Sequence, residues 1–133
     1  MEDQPGAIDN YASLIYEQKG EHDEAVQHDL AALRAQQPQL DSAALFDSYK
    51  RDGWQAYWRA RSRALQGGTV GPCTAYEVGL DDLRVDDLHD AFSSFQRALD
   101  NHCLYMALIR VDPLFDSVRR DSRYAGLLTR MHQ

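Results

Sequence analysis

Apolar residues recur at three- and four-residue spacing along nearly the whole chain, and no segment shows the strict alternation rich in Val, Ile and Thr that marks a strand. The fold class this pattern allows is all-α. A first helix is expected from about Ala7 to Lys19, with Tyr11, Leu14 and Ile15 on one face and Gly20 closing it in the left-handed conformation. A second, from about Asp23 to Gln37, carries Ala25, Val26, Leu30 and Leu33 inward and ends before Pro38, whose ring blocks continuation. Asp41 or Ser42 can cap a third helix reaching about Lys50, and Gly53 separates it from a fourth, Trp54 to Leu65.

The run Gly67-Gly68-Thr69-Val70-Gly71-Pro72 is the clearest loop. Beyond it a fifth helix, about Cys73 to Val85, turns Tyr76, Gly79, Leu80 and Leu83 inward. A sixth, Leu88 to Asn101, does the same with Ala91, Phe92, Phe95, Ala98 and Leu99. A short helical stretch containing Leu104 and Leu108 leads to Asp112-Pro113, which can open another short helix. Asp121 caps the last helix, Ser122 to Met131, whose Tyr124, Leu127, Leu128 and Met131 form a sealing stripe. The 133 residues suit a single domain of helical hairpins at about 7–37, 41–66 and 73–101, with a carboxyl-terminal cap at 103–131.

Charge narrows the function. The net charge of −7 disfavours nucleic acid as a partner, because phosphate contacts need clustered Lys and Arg. The charge is uneven. Residues 1–29 hold eight acidic side chains against Lys19, whereas residues 50–66 hold Lys50, Arg51, Arg59, Arg61 and Arg63 against Asp52. No stretch approaches the roughly 20 apolar residues that span a bilayer, and Met1-Glu2-Asp3 does not resemble a secretory signal, so no membrane association is expected. Cys73 and Cys103 lack zinc-site spacing and are expected as buried or half-buried free thiols, which favours a cytoplasmic location.

An internal repeat is present at an offset of 66 residues: Ala25 aligns with Ala91, Ala32 with Ala98, and Tyr11-Ala12-Ser13 with Glu77-Val78-Gly79. The offset is about two periods of the 34-residue tetratricopeptide repeat. Small residues at Ser13 or Gly79 and at Ala25 or Ala91 let two helices approach closely. With Tyr16, Gly20, Ala32 and Pro38 they resemble the tetratricopeptide pattern, with residues 41–66 as a degenerate middle repeat. Asp86 stands where the family's interhelical turn usually carries Gly. The segments Val85–Phe92, Val111-Asp112-Pro113-Leu114-Phe115-Asp116-Ser117-Val118-Arg119 and Asp121-Ser122-Arg123-Tyr124 resemble the closing region of bacterial tetratricopeptide proteins, with Ser122 for the usual Pro and Tyr124 for the usual Phe.

That resemblance implies a right-handed superhelix of about three hairpins plus a capping helix. It implies a regulatory or signalling setting, since such regions often follow an adenylate cyclase, serine/threonine kinase or winged-helix domain. The function expected is a non-enzymatic protein-interaction module taking a protein or peptide partner, with no cofactor. A ligand-sensing regulatory domain coupled to an effector is the alternative. By projected position the partner-binding face comprises Asn10, Leu14, Glu17, Gln18, Tyr49, Tyr76, Leu80 and Arg84.

Other constellations carry blander expectations. Asp81, Asp82, Asp86 and Asp87 straddle a helix end, where solvation explains them more simply than a metal. His22 and His28, and His89 and His102, lack the spacing of a chelating pair on one helical face. Trp54, Tyr57 and Trp58 beside Arg59, Arg61 and Arg63 evoke stacking on single-stranded nucleic acid. Trp54, Trp58 and Leu65 share a stripe and the arginines lie on others, as in a packed helix with a charged outer face. Asp112, Arg119, Asp121 and Arg123 are expected to cap and tie the terminal elements.

Overall fold

A computed structural model describes residues 6–68 and 70–132, all helices and connections with no strand among them. Among the described residues the α-helices are α1 (Ala7–Gln18), α2 (His22–Gln36), α3 (Ser42–Asp52), α4 (Trp54–Gly67), α5 (Thr74–Arg84), α6 (Leu88–Asp100) and α7 (Ser122–Met131). Two 3-10 segments, Leu104–Leu108 and Pro113–Val118, stand between α6 and α7. Among the described residues no helix is long and apolar enough to cross a membrane. The chain divides into two compact units, Met1–Ala60 and Arg61–Gln133, with the division inside α4.

In the first unit α1 and α2 form an antiparallel hairpin. Its closing turn places Gly20 at φ +77°, a conformation a side chain would strain. The hairpin closes on a small residue: Ser13, the buried residue of α1, donates its hydroxyl to the Ala25 carbonyl at 2.7 Å. One turn earlier Asp9 meets His28 at 2.9 Å, and the Tyr16 ring stacks on the same imidazole. The core is Ala25, Val26, Leu30, Ala32 and Leu33 of α2 with Leu45, Tyr57 and Trp58. Asp41 caps α3 by accepting from the Ala44 amide at 3.0 Å. On the α4 side the Tyr57 hydroxyl donates to buried Asp29, and Trp54 stacks on His22.

The face of α1 that carries Tyr11 and Ile15 does not enter this core. The inner positions belong to Ser13, Asp9 and Tyr16, so Ile8, Tyr11 and Ile15 project on the opposite side and remain 75%, 72% and 58% exposed.

In the second unit α5 and α6 form the corresponding hairpin. Asp86 adopts φ +61° at its turn, filling with an aspartate the left-handed position that glycine takes at residue 20. A Cβ at Gly79 would lie 2.5 Å from the buried Phe95 ring, so the two helices meet there with no room for a side chain. Phe92, Phe95, Met106, Ile109, Phe115, Tyr124 and Leu127 make the core around them. Asp112 accepts from the Leu114 amide at 3.0 Å and from the Tyr76 hydroxyl at 3.0 Å. Burial, and then that carboxylate, push the Tyr76 phenol well above its ordinary range.

Arg119 ties the end of the unit together by donating to the Ile109 carbonyl at 3.0 Å, the Tyr124 hydroxyl at 2.9 Å and the Asp112 carbonyl at 3.1 Å. Asp121 caps α7, accepting from the Arg123 amide, and the hydrogen bonds from Arg123 hold its carboxyl down at about 2.

Two sequence expectations are corrected. Cys73 and Cys103 are not free thiols: they form a disulfide that links the start of α5 to the residue before the first 3-10 segment. Their spacing excluded a zinc site, but spacing is silent on which cysteines a fold brings together. Arg61 is not on a charged outer face. It is buried in the second unit, donating through Nη1 to both Asp81 carboxylate oxygens at 3.1 and 3.0 Å.

Candidate partner-binding surface

The eight residues expected on a partner-binding face fall in both units. In the first, Asn10 and Gln18 are exposed on α1, with Leu14 and Glu17 half-buried beside them. These four share the flank of α1 next to the outward stripe of Ile8, Tyr11 and Ile15, as their helical spacing dictates. Tyr49 on α3 is half-buried and donates its hydroxyl to Asp23. Burial and that carboxylate push its phenol up to about 12. Its interaction is therefore a tie between α3 and α2.

The second unit holds the other three, on α5. Tyr76 and Leu80 are core side chains, 4% and 7% exposed, and so are not presented to a partner. Arg84 lies mostly buried against Asp81 at 3.0 Å. Arg61, Asp81 and Arg84 thus form a buried cluster of two guanidinium groups on one carboxylate, with Glu77 adding a contact to Arg61 at 3.3 Å. Removing one member of such a cluster leaves a desolvated charge, so its members belong to the architecture.

The acidic residues near the α5–α6 turn also separate by role. Asp81 is in that cluster, Asp87 caps α6 through the Asp90 amide, and Asp82 is pushed up to about 6 by burial and then by Asp87 and Asp90. Among the described residues no group of three or more histidine, cysteine, aspartate or glutamate side chains is placed to hold a metal ion. Arg59 and Arg63 are exposed, whereas Tyr57 and Trp58, the aromatic partners considered for base stacking, are fully buried.

What the sequence reasoning did not single out as a surface is the apolar stripe Ile8, Tyr11 and Ile15. The signal was present in the repeat. Aligning Ser13 with Gly79 identifies Ser13 as the residue facing α2, and a stripe on the far side of the helix must then face water. A second exposed apolar group, Leu104, Tyr105, Leu108 and Val111, lies on and just after the first 3-10 segment.

No protein-family model, curated protein or solved structure matches this chain.

Proposed function

We propose that this chain is a tetratricopeptide-like, non-enzymatic interaction module, a right-handed superhelix of helical hairpins that takes a protein or peptide partner in a bacterial regulatory or signalling system. The observation that carries the reading is the repeated nesting of two hairpins on equivalent small residues. Ser13, against Ala25 in α1–α2, and Gly79, against Phe95 in α5–α6, are themselves 66 residues apart, about two tetratricopeptide periods. Such hairpins cover extended surface with little enclosed volume, which suits docking of another chain.

Support for the binding role comes from α1, where Asn10, Leu14, Glu17 and Gln18 border large apolar side chains that the fold leaves in water. The site therefore centres on Asn10, Leu14, Glu17 and Gln18 of α1, whereas Tyr49 and Arg84 are engaged by Asp23 and Asp81, and Tyr76 and Leu80 lie in the core.

The test is affinity capture from native extract with the intact chain and with Glu17→Lys, both checked for unchanged melting. A specific protein recovered by the intact chain and lost with Glu17→Lys supports the reading. Recovery of no protein, or of the same protein by both, contradicts it.

A further inference from the structure

Helices α1, α3 and α5 occupy equivalent places in the repeat, and two of them show what covers the outward face of the third. Aligning their last residues, Gln18, Asp52 and Arg84, puts Ile8, Tyr11 and Ile15 of α1 on Ser42, Leu45 and Tyr49 of α3 and on Thr74, Glu77 and Asp81 of α5. In α3 and α5 this face meets the helix that precedes it in the chain. Arg34 of α2 donates to the Ser42 hydroxyl at 3.3 Å, the Tyr49 hydroxyl donates to Asp23 of α2, and Leu45 between them is buried. Arg61 of α4 donates to Glu77 at 3.3 Å and to Asp81 at 3.0 Å. Among the described residues no helix precedes α1, and the same face there holds three large apolar side chains in water.

We infer that the face of Ile8, Tyr11 and Ile15 docks a helix of another protein in the place that α2 takes against α3 and α4 takes against α5. The inference rests on the reading of the chain as an interaction module and names the geometry and chemistry of its partner. A stack of helical repeats ends on a polar outer face when nothing further joins it. Helix α7, tied to α6 by Arg130 and Asp100 at 2.8 Å, has such a face in exposed Ser122, Thr129 and Arg130, whereas α1 does not. Where α2 and α4 offer Asp23, Arg34 and Arg61 to polar residues, the docked helix offers apolar side chains, since a charge buried on Ile8, Tyr11 and Ile15 would find no partner among them. Lys19, four residues after Ile15, carries the positive charge at one end of the stripe, so the docked helix is acidic or neutral there. A second copy has no such helix to spare, because α2, α4 and α6 already carry α3, α5 and α7. An anionic membrane would meet a chain of net charge −7.

The experiment uses the intact chain and two labelled helical peptides of about 18 residues flanked by glutamates, one with leucines along one face and one with arginines in their place. Anisotropy titrations in about 0.3 M salt, which screens general attraction to an acidic chain, are expected to show the leucine peptide binding at least about tenfold more tightly. Ile8→Ser and Ile15→Ser should each weaken it about tenfold at unchanged melting temperature, since both side chains are already in water. Ile15→Asp puts a carboxylate where α5 has Asp81 and should shift the preference toward the arginine peptide.

Equal binding of the two peptides, or serine variants that bind like the parent, overturns the inference. So does a dimer in sedimentation that the serine variants dissolve, or partition onto phosphatidylglycerol vesicles without peptide binding. A partner captured from extract that is lost with Glu17→Lys yet retained by Ile8→Ser and Ile15→Ser would sink this inference alone and leave the interaction reading standing.

Discussion

Asp82 is held where its charge is unwelcome, half-buried at the end of α5 with Asp87 and Asp90 beside it, and its carboxyl titrates at about 6 instead of 3.8. The folded chain binds that proton more tightly than the unfolded chain does. Stability is therefore highest with Asp82 protonated and declines as pH rises from about 4 through about 6. Asp82→Asn should raise the melting temperature at pH 7.5, by a free energy under about 1 kcal/mol given solvent screening, and should give no gain at pH 4. Thermal melts of both proteins at the two pH values check this. The sequence shows the acidic cluster but not which member bears the penalty. Asp81, the immediate neighbour of Asp82, is stabilised by Arg61 and Arg84, a difference set by which way each side chain points.

At the scale of elements, helix starts and stops were largely legible. Gly20, Gly53 and Pro38 mark breaks by backbone chemistry alone, and Asp41, Asp112 and Asp121 each accept the amide their position promises. The repeat located the hairpin contacts too. Gly79→Ala tests that contact directly, because its methyl would meet a Phe95 ring enclosed on all sides and with little room to retreat. A loss of about 1–3 kcal/mol is expected by denaturant titration, against a gain of up to about 1 kcal/mol if Gly79 were an ordinary exposed helix position. Less legible was the orientation of α1. Its apolar stripe outranks Ser13 on any hydropathy scale, yet Ser13 is the residue that lets α1 reach the α2 backbone, and contact distance overrode hydropathy.

For the molecule as a whole, the disulfide changes the stability argument most. Cys73 and Cys103 close a loop of 30 residues around α5 and α6, which in the chain-entropy account stabilises the folded state by roughly 3.5 kcal/mol. Reduction, or Cys73→Ala with Cys103→Ala, should lower the unfolding free energy of Arg61–Gln133 by about that amount, and with it the midpoint, and leave the transition of the first unit in place. Tryptophan fluorescence, from Trp54 and Trp58, reports the first unit, and amide exchange of Phe95 and Phe115 the second. A single transition that shifts as one would contradict this. The bond also withdraws the cysteine argument for a cytoplasmic location, since disulfides persist chiefly in oxidising compartments.

The all-α class, the order of the helices and the small residues on which two hairpins close follow from local chemistry, namely periodicity, caps and the volume of single side chains, all of which a linear string carries. The pairing of the cysteines, the burial of Arg61 on Asp81, the division inside α4 and the outward turn of Ile8, Tyr11 and Ile15 were decided by tertiary structure. Each depends on which residues distant in the chain come within a few ångströms of one another, a quantity no spacing along the sequence fixes.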